Sequence, residues 1–340
     1  MMEAAEYEAV RGGGAGIIDL SERGRIEVSG AEAVQFLNGL ITNDVKALED
    51  GAWMLCAFPN VQGRLIAFAR VLRRGPAFLF DTEAATHERV FKTLERFTLA
   101  GDFRVRDLTL ETTLFSIQGA GSREILRAML GEDVASVERG RIAETSWNSN
   151  SLSIIRATHT AEDGFDLFLN ANDATGVWDA LVQAGAHPFG LEALEILRIE
   201  AGQPRFGQDM DENTVVLETG LDEAVSFTKG CYIGQEIIAR IHWRGHVAKR
   251  LAGLTFDGEV KIEREAKIKS TDGKEIGRIT STAVSPSLKR TIALGYVKYD
   301  YLAAGTEVRV AVGEEERAAR VSELPFVRGS WYEQTEETVA

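Results

Sequence analysis

The feature that most constrains this chain is a change of hydrophobic period near residue 246. Beyond it, short runs such as RLAGLTF, EIGRITSTAV, TIALGYV and EVRVAV alternate apolar and polar residues, with turn residues between them at regular spacing. A period of two marks strands that bury one face each, and many short strands of this kind bury that face in a sandwich or a small barrel. The spacing predicts an all-β domain over 246–330, followed by a frayed tail at 331–340.

Residues 1–245 mix both periods. Ser29 and Glu32 have capping-box spacing, and Ala33, Phe36, Leu37, Leu40 and Ile41 then share one helical face. Strands are expected at 53–58, 64–72, 77–81, 103–109, 113–118, 152–156 and 165–169. Helices are expected at 85–98, 122–130, 173–184 and from 190 to the Gly202/Pro204 stop. Several neighbouring strands between helices predict α+β layers rather than a parallel dinucleotide-binding sheet. The run GGGAG at 12–16 lacks the third glycine of G-x-G-x-x-G and follows no strand, so it reads as a flexible lead-in.

The formal charge of −14 argues against a nucleic-acid partner, which needs a basic field. No run reaches the roughly 20 apolar residues of a membrane span, and MMEAAEYEAVRGGG has no apolar signal-peptide core. Two cysteines make no disulfide scaffold, so a reducing, cytoplasmic location is expected. Cys56, inside WMLCAF, reads as a small core residue.

Cys231 has different surroundings. It lies in TKGCYIGQEIIARI, where Ile233, Ile237, Ile238 and Ile241 form a helical stripe, which places the thiol at or just before a first helical turn. Unpaired N–H groups and the positive end of the helix dipole favour a thiolate there, as does Lys229. Residues 228–250 hold five basic side chains, Lys229, Arg240, Arg244, Lys249 and Arg250, against one acidic residue, Glu236, a local field suited to an anion. His242 and His246 are four apart, but Gly245 weakens a helix there and no third ligand completes a site by spacing, so no metal is expected. No G-x-S-x-G, P-loop or H-E-x-x-H occurs.

The stretch K-G-C-Y-I-G-Q-E at 229–236 resembles the signature of the YgfZ-type folate-binding proteins, relatives of the glycine cleavage T-protein (aminomethyltransferase). GIIDLSERGRIEVSGAEAVQFLNGLITNDV, GLEALEILRIEAGQPRFGQDMDENTVVLETGL and IALGYVKYDYLAAGTEVRV resemble the N-terminal, central and C-terminal blocks of that superfamily, so the resemblance runs over most of the chain. It implies a three-lobed, cloverleaf-like α+β fold, with two interleaved lobes over 1–245 and a C-terminal antiparallel β-barrel. It also implies tetrahydrofolate, possibly polyglutamylated, as ligand, and transient contact with iron–sulfur enzymes or cluster-assembly proteins. The function it implies is support of assembly or repair of iron–sulfur clusters in [4Fe–4S] enzymes, with Cys231 as the functional thiol.

Glu200, in LRIEAG, matches the T-protein glutamate that reads the pterin, whose N–H groups suit a carboxylate. Lys229, Tyr232, Gln235 and Arg240 are the other expected folate contacts. The departures from the T-protein are equally informative. NVQGRLIAF places Ala67 and Phe68 where the T-protein pattern has Asp-Asp, and neither can accept a proton from a reacting amine. T-protein-type aminomethyl transfer is therefore not expected, although a folate-dependent aminomethyl- or methyltransferase is the alternative reading.

Overall fold

The computed structural model describes residues 2–333. The alternating run closes into a six-stranded barrel in the order Lys249–Phe256, Arg290–Lys298, Glu275–Ser285, Lys267–Ser270, Glu307–Val312 and Glu315–Ser322. Neighbouring strands are antiparallel. Leu254, Phe256, Ile268, Ile279, Val297 and Val310 fill the interior. Closure leaves no exposed sheet edge. The strands pass so close that a Cβ at Gly277 would lie 2.0 Å from the Tyr296 carbonyl, so only glycine fits there.

The rest of the described chain builds two sheets with helices packed on them. One has the order Trp53–Pro59, Leu65–Arg74, Ala77–Thr82, Gly24–Ser29 and Arg104–Asp107. The other has the order His187–Pro188, Gly16–Asp19, Thr112–Gln118, Gly164–Asn170, Asn150–Arg156 and Ile142–Trp147. The chain begins in the second sheet, with Gly16–Asp19, builds the whole first sheet, and then returns. The helix Ala33–Leu40 buries Ala33, Leu37 and Leu40.

Local chemistry departs from expectation in three places. Glu32 makes no capping box; its carboxylate accepts the Asp102 N–H at 2.7 Å, while its own N–H donates to the Asp102 carbonyl. Pairing with the Gly101–Asp102 segment thus outcompetes the local cap. GGGAG is a packed turn after the helix Met2–Arg11: the Gly14 carbonyl accepts the Gly121 N–H at 2.9 Å, and Gly16 already belongs to a strand. Residues Ser330–Glu333 form a short helix tied to the second sheet's lobe. There Ser330 Oγ donates to Glu162 at 2.6 Å, and the Arg139 guanidinium lies 3.8 Å over the Trp331 ring. Residues 334–340 of the expected tail lie outside the described residues.

Buried ions join the lobes. Arg70, on the first sheet, bridges Asp81 beside it and Asp166 on the second sheet, at 2.6 and 2.5 Å. Asp81 also takes Arg23 at 2.8 Å, and Asp166 takes His159 at 3.0 Å. Burial alone would raise both carboxyls, but Arg23 and Arg70 around Asp81, and His159 and Arg70 around Asp166, hold them below the usual carboxylate range.

A carboxyl that titrates lower folded than unfolded stabilises fully above its unfolded value, near pH 4, and loses that stabilisation as pH falls towards the folded value. Denaturant midpoints should therefore drop as pH is lowered below about 4. Asp166→Asn should cost about 3 kcal/mol near neutrality, because it leaves Arg70 short of a buried counter-ion, and should flatten the acid limb of the stability profile.

Candidate functional site

The thiol loop, residues 228–234, is built by backbone and side-chain bonds to the turn after the first helix of the first lobe. Thr42 Oγ1 donates to the Ala224 carbonyl at 2.6 Å, and Ser226 N–H to the Thr42 carbonyl at 3.0 Å. Ile233 N–H donates to the Gly39 carbonyl at 3.0 Å. Lys229 Nζ reaches inward to the carbonyls of Ile41 at 2.9 Å and Asn43 at 2.7 Å.

On its other side the loop rests on the turn Asn60–Gly63. Gly234 has φ 78°, and a Cβ there would lie 2.4 Å from the Asn60 carbonyl oxygen, so a side chain is excluded by both conformation and space. That turn leads straight into Ala67 and Phe68. Ala67 lies wholly within the apolar cluster of the first lobe. Phe68 shares a second cluster with Tyr232, Ile238 and Val247. Both positions are therefore packed in hydrocarbon.

Cys231 is exposed and free, whereas Cys56 is buried, and burial pushes its thiol up. The helix Gln235–Arg244 starts four residues beyond Cys231, with Gly234 as its N-cap, so the thiol stands outside the first turn. The other expected contacts diverge in direction. Tyr232 is buried, and burial pushes its phenol up to about 12. Gln235 Nε2 donates to the Gly230 carbonyl at 3.4 Å, within the loop itself. Arg240 faces solvent and pairs with Glu236 at 3.1 Å.

The basic island is largely spoken for. Arg250 pairs with Asp222 at 2.5 Å, and Lys249 Nζ lies 5.1 Å over the Tyr296 ring. His242 stacks on Phe227 at 3.6 Å and His246 on Tyr299 at 3.7 Å, and the helix stops at Arg244 between them. Among the described residues no three His, Cys, Asp or Glu side chains group as a metal site. Likewise, among them no helix is long and apolar enough to cross a membrane.

Glu200 ends the helix Leu191–Glu200 with its side chain fully buried. Its carboxylate accepts from Tyr7 at 2.9 and 3.0 Å, Arg11 at 2.8 Å and Ser285 at 2.5 Å. Arg11 continues to Glu162 at 2.7 Å. One turn earlier on the same helix, Glu195 lines an open hollow of about 450 Å³ with Leu191, Glu192, Arg205 and Gln208.

The sequence reading missed Arg23, Arg70, Asp81, Asp166, Arg198 and Asp209, the ions that hold the lobes around these groups. A signal for three of them existed: Arg70, Asp81 and Asp166 stand inside the apolar runs LIAFARVL, AFLFDT and GFDLFLN, where a charge has to find a buried partner.

Comparison with known proteins gives this geometry a family. Residues 2–229 match the GCVT N-terminal domain, and residues 249–328 match the glycine cleavage T-protein C-terminal barrel domain. The chain is 34% identical to an aminomethyltransferase of Rubrobacter xylanophilus over 325 residues, covering 95% of this chain and 86% of that one. It is 32% identical to the aminomethyltransferase of Geobacillus kaustophilus over 330 residues, covering 95% and 90%. Its fold superposes on the glycine cleavage system aminomethyltransferase T of Bartonella henselae with a TM-score of 0.88 at 25% identity, covering 96% and 90% of the two chains. With both domains matched in order, and relatives this similar over nearly their whole length, the chain belongs to the glycine cleavage T-protein (GcvT-like) family.

Proposed function

We propose that this chain is a tetrahydrofolate-binding member of the T-protein family of the YgfZ type, which supports assembly or repair of iron–sulfur clusters in [4Fe–4S] enzymes through Cys231. One observation carries the reading. The loop that presents an exposed thiol packs its Tyr232 into the same cluster as Phe68, next to the position where the T-protein pattern has its carboxylates. A phenyl ring and a methyl group there can neither take a proton from an amine nor hydrogen-bond one. The exposed nucleophile of this site is a thiol.

The second reading, a folate-dependent aminomethyl- or methyltransferase, has its own support. Relatives at 32–34% identity bear the name aminomethyltransferase, and by name that reading is better backed than the iron–sulfur one. What stands against it is Ala67 and Phe68.

For the folate itself, Glu200 keeps the motif position of a pterin reader but has its oxygens engaged by Tyr7, Arg11 and Ser285. A pterin can use this carboxylate only by taking the place of one of those donors. Glu195, beside the open hollow, is the more exposed carboxylate of the same helix, but Arg198 holds both its oxygens at 2.5 and 3.0 Å and Gln208 donates to it at 2.8 Å.

Three measurements test these readings. Cys231→Ala should abolish rescue of iron–sulfur enzyme activity in a deletion strain, yet shift unfolding free energy by no more than about 0.5 kcal/mol, because the residue is exposed. Full rescue by the variant defeats the thiol role. Calorimetry with tetrahydrofolate should show binding to the wild type and weaker binding to Glu200→Gln or Glu195→Gln, whichever carboxylate reads the pterin. The glutamine is preferred to alanine because it keeps one buried oxygen acceptor, whereas alanine takes an acceptor from Tyr7, Arg11 and Ser285 together and confounds binding with unfolding. No heat from the wild type refutes the folate assignment. Finally, tetrahydrofolate-dependent release of ammonia from an aminomethyl-loaded lipoyl carrier should be absent, and turnover there establishes the transferase reading instead.

A further inference from the structure

Lys229 is the first residue of the signature, and its side chain is used in a way that neither family reading assigns. It is only 8% exposed. Its two hydrogen bonds go to main-chain carbonyls, those of Ile41 and Asn43, and its ammonium lies 5.1 Å over the Tyr232 ring. Asp44 and Cys56 are its ionisable neighbours, and burial pulls the amine down to about 8. A neutral amine still carries two N–H donors for two carbonyl acceptors, so the same pair of bonds holds in either protonation state. A cation meant to receive an anionic ligand would keep its charge towards solvent; this one spends its donors inward.

The effect falls on what lies between the anchors. Lys229 is pinned two residues before Cys231, and the Ile233 N–H is pinned two residues after it, on the Gly39 carbonyl. Tyr232 inserts into the apolar cluster, while Gly230 and Cys231 remain exposed. We propose that Lys229 is the positioning residue of the thiol loop: its amine staples residues 228–234 to the turn 41–43 and so sets where Cys231 is presented. Its functional meaning rests on the reading of Cys231 as the working thiol. Its structural content does not, and the two fail separately.

Hydrogen exchange on the full chain, read by mass spectrometry for wild type, Lys229→Met and Lys229→Arg, tests it. In Lys229→Met, the loop's bonded amide, that of Ile233 on the Gly39 carbonyl, should lose about ten- to a hundredfold of its protection, the scale of hydrogen bonds made by a charged donor, while barrel amides around Leu254 keep theirs. Lys229→Arg, which retains inward donors, should recover part of the loss. Unchanged loop protection in folded Lys229→Met overturns the proposal. So does an equal loss in loop and barrel, which marks a purely global role. If Lys229→Met does not fold, Lys229→Gln is read in the same way: selective loss in the loop supports positioning, and unchanged protection there overturns it. Full rescue by Cys231→Ala would remove the thiol function and leave the exchange result standing.

Discussion

A buried carboxylate that has lost its water must be surrounded by donors, and in this protein that requirement decides how the lobes sit on one another. Asp209 is the clearest instance. Its side chain is fully buried and accepts from Arg198 at 2.5 Å, Thr280 at 2.5 Å, Ser281 at 2.6 Å and the Arg205 N–H at 3.0 Å. Those donors come from the helix Leu191–Glu200, from the loop after it and from the barrel. Hydrophobic contact alone is non-directional and tolerates sliding. A carboxylate with four donors does not, because any displacement leaves a buried group unpaired at a cost of several kcal/mol. Arg70 does the same between the two sheets. Gln203 and Phe206 carry the loop to the remaining lobes, through the Thr158 carbonyl and the Glu83 carboxylate.

The thiol loop inherits its position from this frame. It touches the first lobe at two turns, 39–43 and 60–63, and continues into the helix that leads to the barrel. Phe68 and the loop that presents Cys231 are therefore parts of one packing arrangement, while Ala67 belongs to the neighbouring cluster. Phe68 and Tyr232 fill a common cluster, and Tyr232 inserted there leaves its neighbour Cys231 pointing outward. A carboxylate introduced at Ala67 would enter hydrocarbon without a partner.

Much of this was legible from the chain, for definite physical reasons. The barrel showed itself because period two and period 3.6 are distinct signals over runs of this length. Cys231 stood out because few thiols lie among glycines and cations. Side-chain direction in the loop did not show: Lys229 and Cys231 are two residues apart in an irregular segment, where no periodicity tells inward from outward. The basic island looked like a field for anions because Asp222, the partner of Arg250, lies 28 positions away in sequence. The capping-box spacing of Ser29 and Glu32 lost to a non-local pairing, as Asp102 offered Ala31 and Glu32 a partner.

Glu200 shows why a preserved motif residue does not by itself preserve a role. A chain of bonds runs from Ser287 through Tyr7, Glu200, Arg11 and Glu162 to Ser330. It links a barrel hairpin, the first helix, the central helix, a loop of the second lobe and the C-terminal segment. The Glu200 carbonyl also accepts the Phe326 N–H at 2.8 Å, which anchors that segment again. A ligand that engages this carboxylate must displace Tyr7, Arg11 or Ser285, and displacing Arg11 also takes a donor from Glu162. Binding at Glu200 is thus thermodynamically linked to the seating of the helix Met2–Arg11 and of residues 326–330. Glu195 is tied elsewhere: Arg198 holds it at 2.5 and 3.0 Å and also donates to Asp209, so a ligand that takes Glu195 disturbs the contact with the barrel and not the N-terminal helix.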